Sequence, residues 1–407
     1  MLQTMRSVIG DRNRWPSVAN RVVDWIAEHP TSPLGRLVAL RYGSPPGGTP
    51  VSVFSTSDVR LLIAPVNYSG QARAWASAVA EHLGVGASTM ALDVPGGFRF
   101  DADLIVPPAV FQVDHDWQRR QFEAVAVGAT HLLIEAEEPP FGRLLGRDLL
   151  RQVEAIRQRG VDVAFIAHGT DVRSPARHVE NEPWSHFHDS RIYTRRLERL
   201  TAMNRADLVE SGLPVFVSTP DLLLDVPSAT WCPVVVDVDR WNTPRVGGGG
   251  PLRVAHAPSV TAVKGTELIT QQMERLDKAG EIIWRLVQGV ASSDMPMVFA
   301  ATDVLLDQFR IGSYGVAAVE AMAAGCVVVG HVRPEIRELV SEATGVELPL
   351  VEATPDTLES VIHELASDPA RVERIREDGR QFVETVHDGR MSAAILGRWL
   401  PRGPEDG

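Results

Sequence analysis

The stretch ATDVLLDQFRIGSYGVAAVEAMAAGCVVVG, residues 301–330, predicts a strand, a glycine turn, a helix and a second strand in close succession. Residues 304–306 and 327–329 are short apolar runs typical of buried strands. The helix between them carries one carboxylate, Glu320, among small apolar residues. Strands that alternate with helices indicate an α/β protein with a parallel sheet.

The turn before this helix has the composition of an anion site. Glycines let the backbone approach a ligand closely, and a helix that starts near Gly315 directs unpaired N–H groups and its positive dipole end at a phosphate-sized group. The predicted contacts are Gly312, Ser313, Tyr314, Gly315 and Val316. A glycine turn is also a common connection in Rossmann-like sheets, and this purely structural reading stays open.

Lysine is rare in the chain, which has 40 Lys and Arg residues together but only two lysines, Lys264 and Lys278. Lys264 lies between a predicted strand at 253–255 and a helix with apolar positions at Leu268, Ile269, Met273 and Leu276. A compact ammonium at such a junction suits a phosphate. The alternative is a solvent-facing lysine near a helix start.

Two sequence motifs carry a resemblance to a known family. Lys-Gly-Thr at 264–266 and Glu-Ala-Met-Ala-Ala-Gly at 320–325 resemble the nucleotide-binding domain of retaining glycosyltransferases of the GT-B type, the family-4 or group-1 glycosyl transferases. Where that family has the first of two spaced glutamates this chain has Gly312, and where it commonly has an arginine this chain has Ser259. We interpret both departures as the hypothesis of a subgroup that retains activity.

The resemblance implies an α/β GT-B fold in which two Rossmann-like parallel-sheet domains face a cleft, with an N-terminal helical extension. The expected parts are an extension at 1–50, an acceptor domain at 51–240, a nucleotide-sugar domain at 251–378, and a C-terminal helix and tail at 379–407 that cross back to the first domain. Residues 231–244 resemble the family's crossover strand. Four glycines at 247–250 predict a flexible linker.

The resemblance also implies the site residues. His168 follows a predicted strand at 163–167 and matches the histidine that the family places beside the reacting sugar, although a structural histidine is the alternative. Lys264 would hold the donor diphosphate and Glu320 the ribose hydroxyls, so these three are the predicted catalytic residues. The predicted donor-binding residues are Ser259, Lys264, Gly312, Ser313, Tyr314, Gly315, Val316 and Glu320. The predicted cleft or acceptor residues are Asn67, Tyr68, Gly70, Gln71, Asp171 and Arg173, of which the first four could also form an ordinary strand–helix loop.

The implied reaction moves a sugar from a nucleoside diphosphate sugar to an acceptor hydroxyl with retention of anomeric configuration, and it needs no metal ion or other cofactor. The expected partners are that donor and a glycan, a lipid-linked acceptor or a small molecule. Two alternatives stay open: a non-catalytic protein of the same fold that binds nucleotide sugars or glycans, and a nucleotide-sugar epimerase.

The composition of the chain excludes one class of function and predicts a cellular location. With a net charge of −12, the chain lacks the basic balance that general nucleic-acid binding requires. Cys232 and Cys326 are isolated and indicate buried thiols in a reducing compartment. The sequence contains no apolar run near the ~20 residues of a membrane span. These features predict a cytoplasmic protein.

The extension contains a predicted helix at 16–28 with one apolar face, formed by Val18, Val22, Trp25 and Ile26. Either this helix packs on the main body, or it makes a contact with the inner surface of the membrane through its arginine and tryptophan.

Several aspartates and histidines are candidate metal ligands by residue type. The Asp-x-Asp triplets at 101–103 and 237–239 are similar to the metal clamp of the other glycosyltransferase fold, but such triplets arise often by chance. His186 and His188 lack a supporting ligand pattern, and His256 has either a cleft or a structural role. We therefore predict no metal site.

Overall fold

The computed structural model describes residues 12, 15–30, 32–93, 100–246 and 249–400. The predicted residues at 1–11, 247–248 and 401–407, which include half of the glycine linker, therefore lie outside the described ranges. The extension forms α1 (Ser17–Glu28), α2 (Pro33–Ala39) and a 3-10 turn (Leu40–Tyr42). No helix in the described part of the chain is both long and apolar enough to cross a bilayer.

The first sheet has seven parallel strands in the order β3-β2-β1-β4-β5-β6-β7. Its strands are β1 (Arg60–Ala64), β2 (Gly86–Leu92), β3 (Leu104–Val106), β4 (His131–Glu135), β5 (Asp162–Ala167), β6 (Val215–Val217) and β7 (Thr230–Trp231). The connecting helices are α3 (Gln71–Leu83), α4 (Pro108–Val113), α5 (His115–Gly128), α6 (Leu149–Arg157), α7 (Pro175–Asn181) and α8 (Thr194–Ser211). Side chains of Asp114, Asp148 and Ser174 accept a backbone N–H at the starts of α5, α6 and α7, which fixes where these helices begin.

The second sheet has five parallel strands in the order β12-β11-β10-β8-β9. Its strands are β8 (Leu252–His256), β9 (Ile282–Leu286), β10 (Val304–Leu306), β11 (Val327–Gly330) and β12 (Val351–Glu352). The helices from the interdomain segment onward are α9 (Val238–Trp241), α10 (Thr261–Lys264), α11 (Thr266–Lys278), α12 (Met295–Ala300), α13 (Val316–Ala323), α14 (Pro334–Thr344), α15 (Leu358–Ser367), α16 (Pro369–Val386) and α17 (Arg390–Leu396).

The strand order locates the ligand side of each sheet. In open parallel sheets ligands bind beyond the carboxyl ends of the strands, where the strand order reverses. That point lies between β1 and β4 in the first sheet and between β8 and β10 in the second. Asn67 and Gly312 lie in the loops that follow β1 and β10, Glu135 is the last residue of β4, and Lys264 ends the short helix that follows β8.

The last helix returns to the first domain. α17 packs against α3, and Ala393, Leu396 and Leu400 join Trp75 and Val79 in one buried cluster on the first sheet. Apolar side chains from both sheets form another continuous core, in which the rings of Trp241 and Phe299 stack at 5.4 Å. The two sheets are therefore joined by apolar packing as well as by the chain.

Most predicted elements are confirmed, including the strands at 304–306 and 327–329 and the helix on either side of Met273. Cys232 and Cys326 are buried free thiols, as expected. The predicted crossover strand was too long, since β7 ends at Trp231. Beyond it Pro233 has no N–H, Val235 N donates to Gln71 and Val236 N donates to His387, so no strand ladder continues.

α1 packs on the body, as one predicted alternative has it, but through its polar side. Three residues of the predicted apolar face, Val18, Val22 and Trp25, are 60%, 49% and 44% exposed. Asn20 and Asp24 face inward instead. Their burial is stabilised by Arg12, which lies 2.7 Å from Asp24, and by Arg199 of α8, which lies 3.1 Å from it.

Candidate active site

A buried carboxylate, Glu135, joins the two cleft loops of the first domain. It ends β4, and one oxygen accepts hydrogen bonds from the backbone of Val66 and Asn67 at 3.2 and 3.0 Å. The other oxygen lies 3.1 Å from Nε2 of His168. Glu135 thus fixes the loop after β1 and the imidazole after β5 relative to each other.

His168 is held in place by neighbouring side chains. Its backbone N–H donates to the carboxylate of Asp171 at 2.7 Å, and its ring meets the edge of Tyr68, with centroids 5.3 Å apart. The side chain is 9% exposed, whereas Tyr68 is 48% exposed. The structure therefore brings three predicted residues, His168, Tyr68 and Asp171, together at the ligand side of the first sheet.

The loop after β1 is held by its own backbone conformation. Asn67 has φ of 55° and is buried, with its side-chain amide donating to the carbonyl of Asp101. Gly70 has φ of 74°, where a side chain would be strained, and begins α3. The Gln71 amide bonds both the N–H and the carbonyl of Val235. Gln71 consequently anchors the interdomain segment to α3.

Arg173 lies behind the cleft in a buried ion pair with Asp221, at 2.6 Å. Burial raises the pKa of Asp221, but Arg173 and the hydroxyls of Thr219 and Ser313 outweigh it and hold that pKa below its usual value. Since Ser313 belongs to the second domain, this ion pair is part of the contact between the two domains.

Lys264 ends α10 and points at the end of β10. Its ammonium lies 2.8 Å from the carboxylate of Asp307, and both side chains are largely buried. His256, at the end of β8, bonds the carbonyl of Leu306 and the hydroxyl of Thr266. Burial lowers the pKa of His256 to about 4, so it is a neutral structural residue.

Gly312 lies against the first domain. Its φ is +70°, and a Cβ placed on it would lie 2.5 Å from a carboxylate oxygen of Glu182 and 2.8 Å from Arg333. Glu182 is fully buried and lies 3.1 Å from the ring of His331. A glutamate at 312 would therefore meet both a strained backbone and another carboxylate, which gives a physical reason for the glycine here.

The next two residues of the motif are buried. Ser313 is 1% exposed, and its hydroxyl has no hydrogen bond among the described residues, while the hydroxyl of Tyr314 lies 3.3 Å from His387. Burial raises the pKa of Tyr314 above its usual range. Both side chains thus belong to the interdomain packing. A ligand at this turn would therefore contact the backbone and not these side chains.

The start of α13 is open. Apart from its chain neighbours, no heavy atom of the described residues lies within 4 Å of a Cβ built on Gly315, and Val316 at the first helical position is half-buried. The carboxylate of Glu320, on the second turn, has no hydrogen bond or ion pair among the described residues, while its backbone carbonyl accepts from Ala324 within the helix. Burial raises the pKa of Glu320 to about 7, against an opposing effect of Arg240. Ser259, in the loop after β8, is exposed.

One aspartate of each Asp-x-Asp triplet has a structural partner, and His186 packs among other rings. Asp103 pairs with Arg73 and accepts from Thr89, while Asp237 caps α9. His186 is buried against the rings of Phe187 and His178. Among the residues that the structure describes, no group of three or more His, Cys, Asp or Glu side chains could hold a metal ion.

Sequence reasoning missed three buried carboxylates, Glu135, Glu182 and Asp307. Glu135 and Asp307 each stand at the end of an apolar strand, a position at which an acidic residue predicts either a ligand contact or a buried partner. Glu182 follows no strand, and its partner His331 is 149 residues away. No local signal marks it.

Part of the chain matches a known protein family, and solved structures share its fold. Residues 267–396 match the family model described as glycosyl transferase-like. Sucrose-phosphate synthase from Thermosynechococcus elongatus is 12% identical with a TM-score of 0.51, over 83% of this chain and 97% of that one. HepE from Anabaena, in complex with UDP-glucose, is 10% identical with a TM-score of 0.51, over 84% and 99%. A search of curated proteins found no match. These findings confirm the predicted GT-B fold and the resemblance to group-1 glycosyltransferases.

Proposed function

We propose that this chain, a GT-B protein with a glycosyl transferase-like second domain, moves a sugar from a nucleoside diphosphate sugar to an acceptor hydroxyl. The observation that carries the proposal is the open start of α13 at Gly315 together with the unpartnered carboxylate of Glu320. A helix N-terminus favours a diphosphate, and ribose hydroxyls would give Glu320 the hydrogen-bond donors that it lacks. HepE, which shares the fold, binds UDP-glucose, and this supports a donor of the same class.

Lys264 would assist the leaving diphosphate. An ammonium has three N–H donors, and Asp307 takes one of them at 2.8 Å. The remaining donors and the amides at the start of α13 would stabilise the charge that develops as the bond between the sugar and the phosphate breaks. Asp307 holds the ammonium in place, so that little reorganisation accompanies the reaction.

We infer retention of anomeric configuration only from the resemblance of the sequence motifs to those of retaining glycosyltransferases. The acceptor oxygen would form its bond to the anomeric carbon on the face that the diphosphate leaves. The acceptor's proton would pass to the departing phosphate oxygen. No strong protein base is then required, and His168, held by Glu135, would orient the sugar or the acceptor.

We also propose that transfer needs no divalent cation. One carboxylate of each Asp-x-Asp triplet already has a partner: Asp103 binds Arg73 and Thr89, and Asp237 caps the start of α9. The test is transfer in excess chelator. Persistent activity supports the proposal, while loss with EDTA and recovery with manganese overturns it, because a metal would then be the principal cation at the leaving group.

A binding protein without catalysis is the second candidate, and Gly312 and Ser259, which replace a glutamate and an arginine of the family, favour it. Thermal shift with uridine, guanosine, adenosine, thymidine and cytidine diphosphates identifies the base, since ligand at ~100 times its dissociation constant adds ~2.7 kcal/mol. Release of that diphosphate from its sugar only when an acceptor is present supports a transferase. Binding without release supports the second candidate.

The acceptor is proposed to be a glycan, a lipid-linked molecule or a small molecule, and the location to be the cytoplasm with contact at the inner membrane surface. The exposed apolar face of α1 supports that contact, because a helix face of this kind lies readily at a lipid interface. Sedimentation of the protein with vesicles of phosphatidylglycerol tests it.

A further inference from the structure

The two helices of the extension expose apolar side chains in a pattern opposite to that of an ordinary surface helix. A helix on a water-soluble body normally turns its apolar stripe inward. α1 instead buries Asn20 and Asp24. The outward apolar residues, which we call the extension patch, are Val18, Val22 and Trp25 of α1 and Leu34, Leu37 and Val38 of α2. Large apolar side chains exposed together on two adjacent helices are typical of an interaction site.

A cavity of about 230 Å³ lies between these helices and the first domain. Its inner wall is apolar and includes Val23, Ile26 and Ala39. The polar side chains at its wall are Arg41, Tyr42, Gln112, Arg143 and Arg147. An apolar cavity of about 150 Å³ is sufficient to bind benzene, so this one has room for a segment of alkyl chain.

The charge at this cavity is positive and incompletely balanced. Arg147 pairs with Glu138 at 2.5 Å, but no carboxylate pairs with Arg143 or Arg41 among the described residues. Arg143 bonds only the amide oxygen of Gln112, at 3.4 Å. Burial, followed by the neighbouring Arg147 and Arg36, holds the pKa of Arg143 below its usual value, against an opposing effect of Tyr42. An anion bound beside Arg143 would offset the electrostatic repulsion among Arg143, Arg147 and Arg36.

We propose that the cavity binds the alkyl chain of one anionic membrane lipid, whose head group is held by Arg143 and Arg41 while the extension patch lies on the bilayer. The apolar wall suits the alkyl chain of the lipid, and the unbalanced arginines suit its anionic head group. The extension patch would bring the cavity to the membrane surface. This inference deepens the proposed membrane contact and does not depend on sugar transfer.

The test uses calorimetric titration of the full chain, without nucleotide, with hexyl, octyl and decyl phosphate below their micelle concentrations. Each methylene that enters the cavity should raise the affinity about fourfold. Inorganic phosphate and decyl-trimethylammonium should not bind measurably. Affinity that does not depend on chain length would overturn the cavity assignment.

Two variants and one control separate the cavity from the patch. Arg143→Gln should lower the affinity for decyl phosphate at least tenfold, and Ala27→Phe, which fills the cavity without changing charge, should abolish it. Arg157→Gln removes the same charge from an exposed position on α6 and should change nothing. Unchanged nucleotide binding shows that each variant is folded.

Phosphatidylglycerol vesicles complete the design. If wild type and Ala27→Phe bind these vesicles equally and neither binds alkyl phosphates, the patch alone makes the contact and the cavity proposal is wrong. If alkyl phosphates bind as expected but no diphosphate is released with any acceptor, the lipid site stands and the proposed transferase function alone is contradicted.

Discussion

At the scale of single residues, Glu320 allows nucleotide binding and stability to be distinguished. Because burial raises the pKa of Glu320 to about 7 from an ordinary 4.5, folding favours its protonated form. Its contribution to stability is full below pH 4.5 and is lost as the pH rises through about 7. Glu320→Gln cannot ionise and should be more stable than wild type at pH 8, yet bind nucleoside diphosphate more weakly by about 1.5–3 kcal/mol.

Thermal unfolding at pH 5 and pH 8, with and without the diphosphate, checks this expectation. A variant that is less stable at pH 8 without ligand would mean that Glu320 has a structural partner, and the ribose assignment would fail.

Lys264 and Lys278 form a second comparison at this scale. Lys264→Ala removes a proposed phosphate contact and also leaves Asp307 buried without its partner, at a cost of about 3–5 kcal/mol in stability. Lys264→Ala/Asp307→Asn should regain most of the stability but none of the donor affinity. Lys278 is exposed at the end of α11, and Lys278→Ala should leave both quantities unchanged. Equal donor affinity in the double variant and wild type would rule out the phosphate role.

Glu135 should act on catalysis through His168. Glu135→Gln keeps the shape of the side chain but replaces the oxygen beside the imidazole by an amide whose orientation is ambiguous. Because a misplacement of about 1 Å can cost about 10²-fold in rate, we expect kcat to fall by about that factor. Nucleotide affinity, which belongs to the second domain, should not change. A fall in nucleotide affinity with an unaltered kcat would contradict the positioning role.

At the scale of elements, His331, which directly follows β11, connects β12 with the end of α7. Although burial lowers the pKa of His331, hydrogen bonds to Glu182 and Glu352 outweigh it and raise that pKa to about 9. The stabilising effect is fully present below pH 6.5 and is lost as the pH rises through about 9. Denaturation of wild type between pH 6.5 and 9.5 should therefore show a decline that His331→Gln lacks.

His363 provides the control for this pair. It lies 2.8 Å from Glu281, but both side chains are about half exposed, so His363→Gln should change stability by less than about 1 kcal/mol. A pH profile of His331→Gln that equals the wild-type profile would show that the buried ion pair contributes nothing.

Elements were predictable from sequence where local patterns determine them. β10, α13 and β11 are apolar runs separated by glycine, and each forms where the pattern indicated. The orientation of α1 was not predictable. Periodicity identifies an apolar stripe but not the side that meets the body, and this side is determined by Asp24, whose partner Arg199 is 175 residues away. The site follows the same rule: Lys264 and Glu320 have local motifs, while Asp307 and Glu182 acquire their roles only from tertiary contacts.

At the scale of the whole molecule, the C-terminal helix stabilises the N-terminal sheet. Leu396 of α17 is fully buried against α3, so Leu396→Ala should destabilise by about 2–5 kcal/mol. Hydrogen exchange should become faster in β1 and α3, far from the substitution in sequence. Leu365→Ala, in the core of the second sheet, should instead affect β8 and β10. Faster exchange confined to the second sheet in Leu396→Ala would contradict this coupling.

The scarcity of lysine has a practical consequence for covalent labelling. An amine-reactive dye meets two side chains, and only Lys278 is freely accessible, because the ammonium of Lys264 is largely buried and bound to Asp307. A short reaction should therefore label the α-amino group and the end of α11 before it labels Lys264. The slower modification of Lys264 would then report occupancy of the cleft, since a bound diphosphate would shield that amine from the reagent.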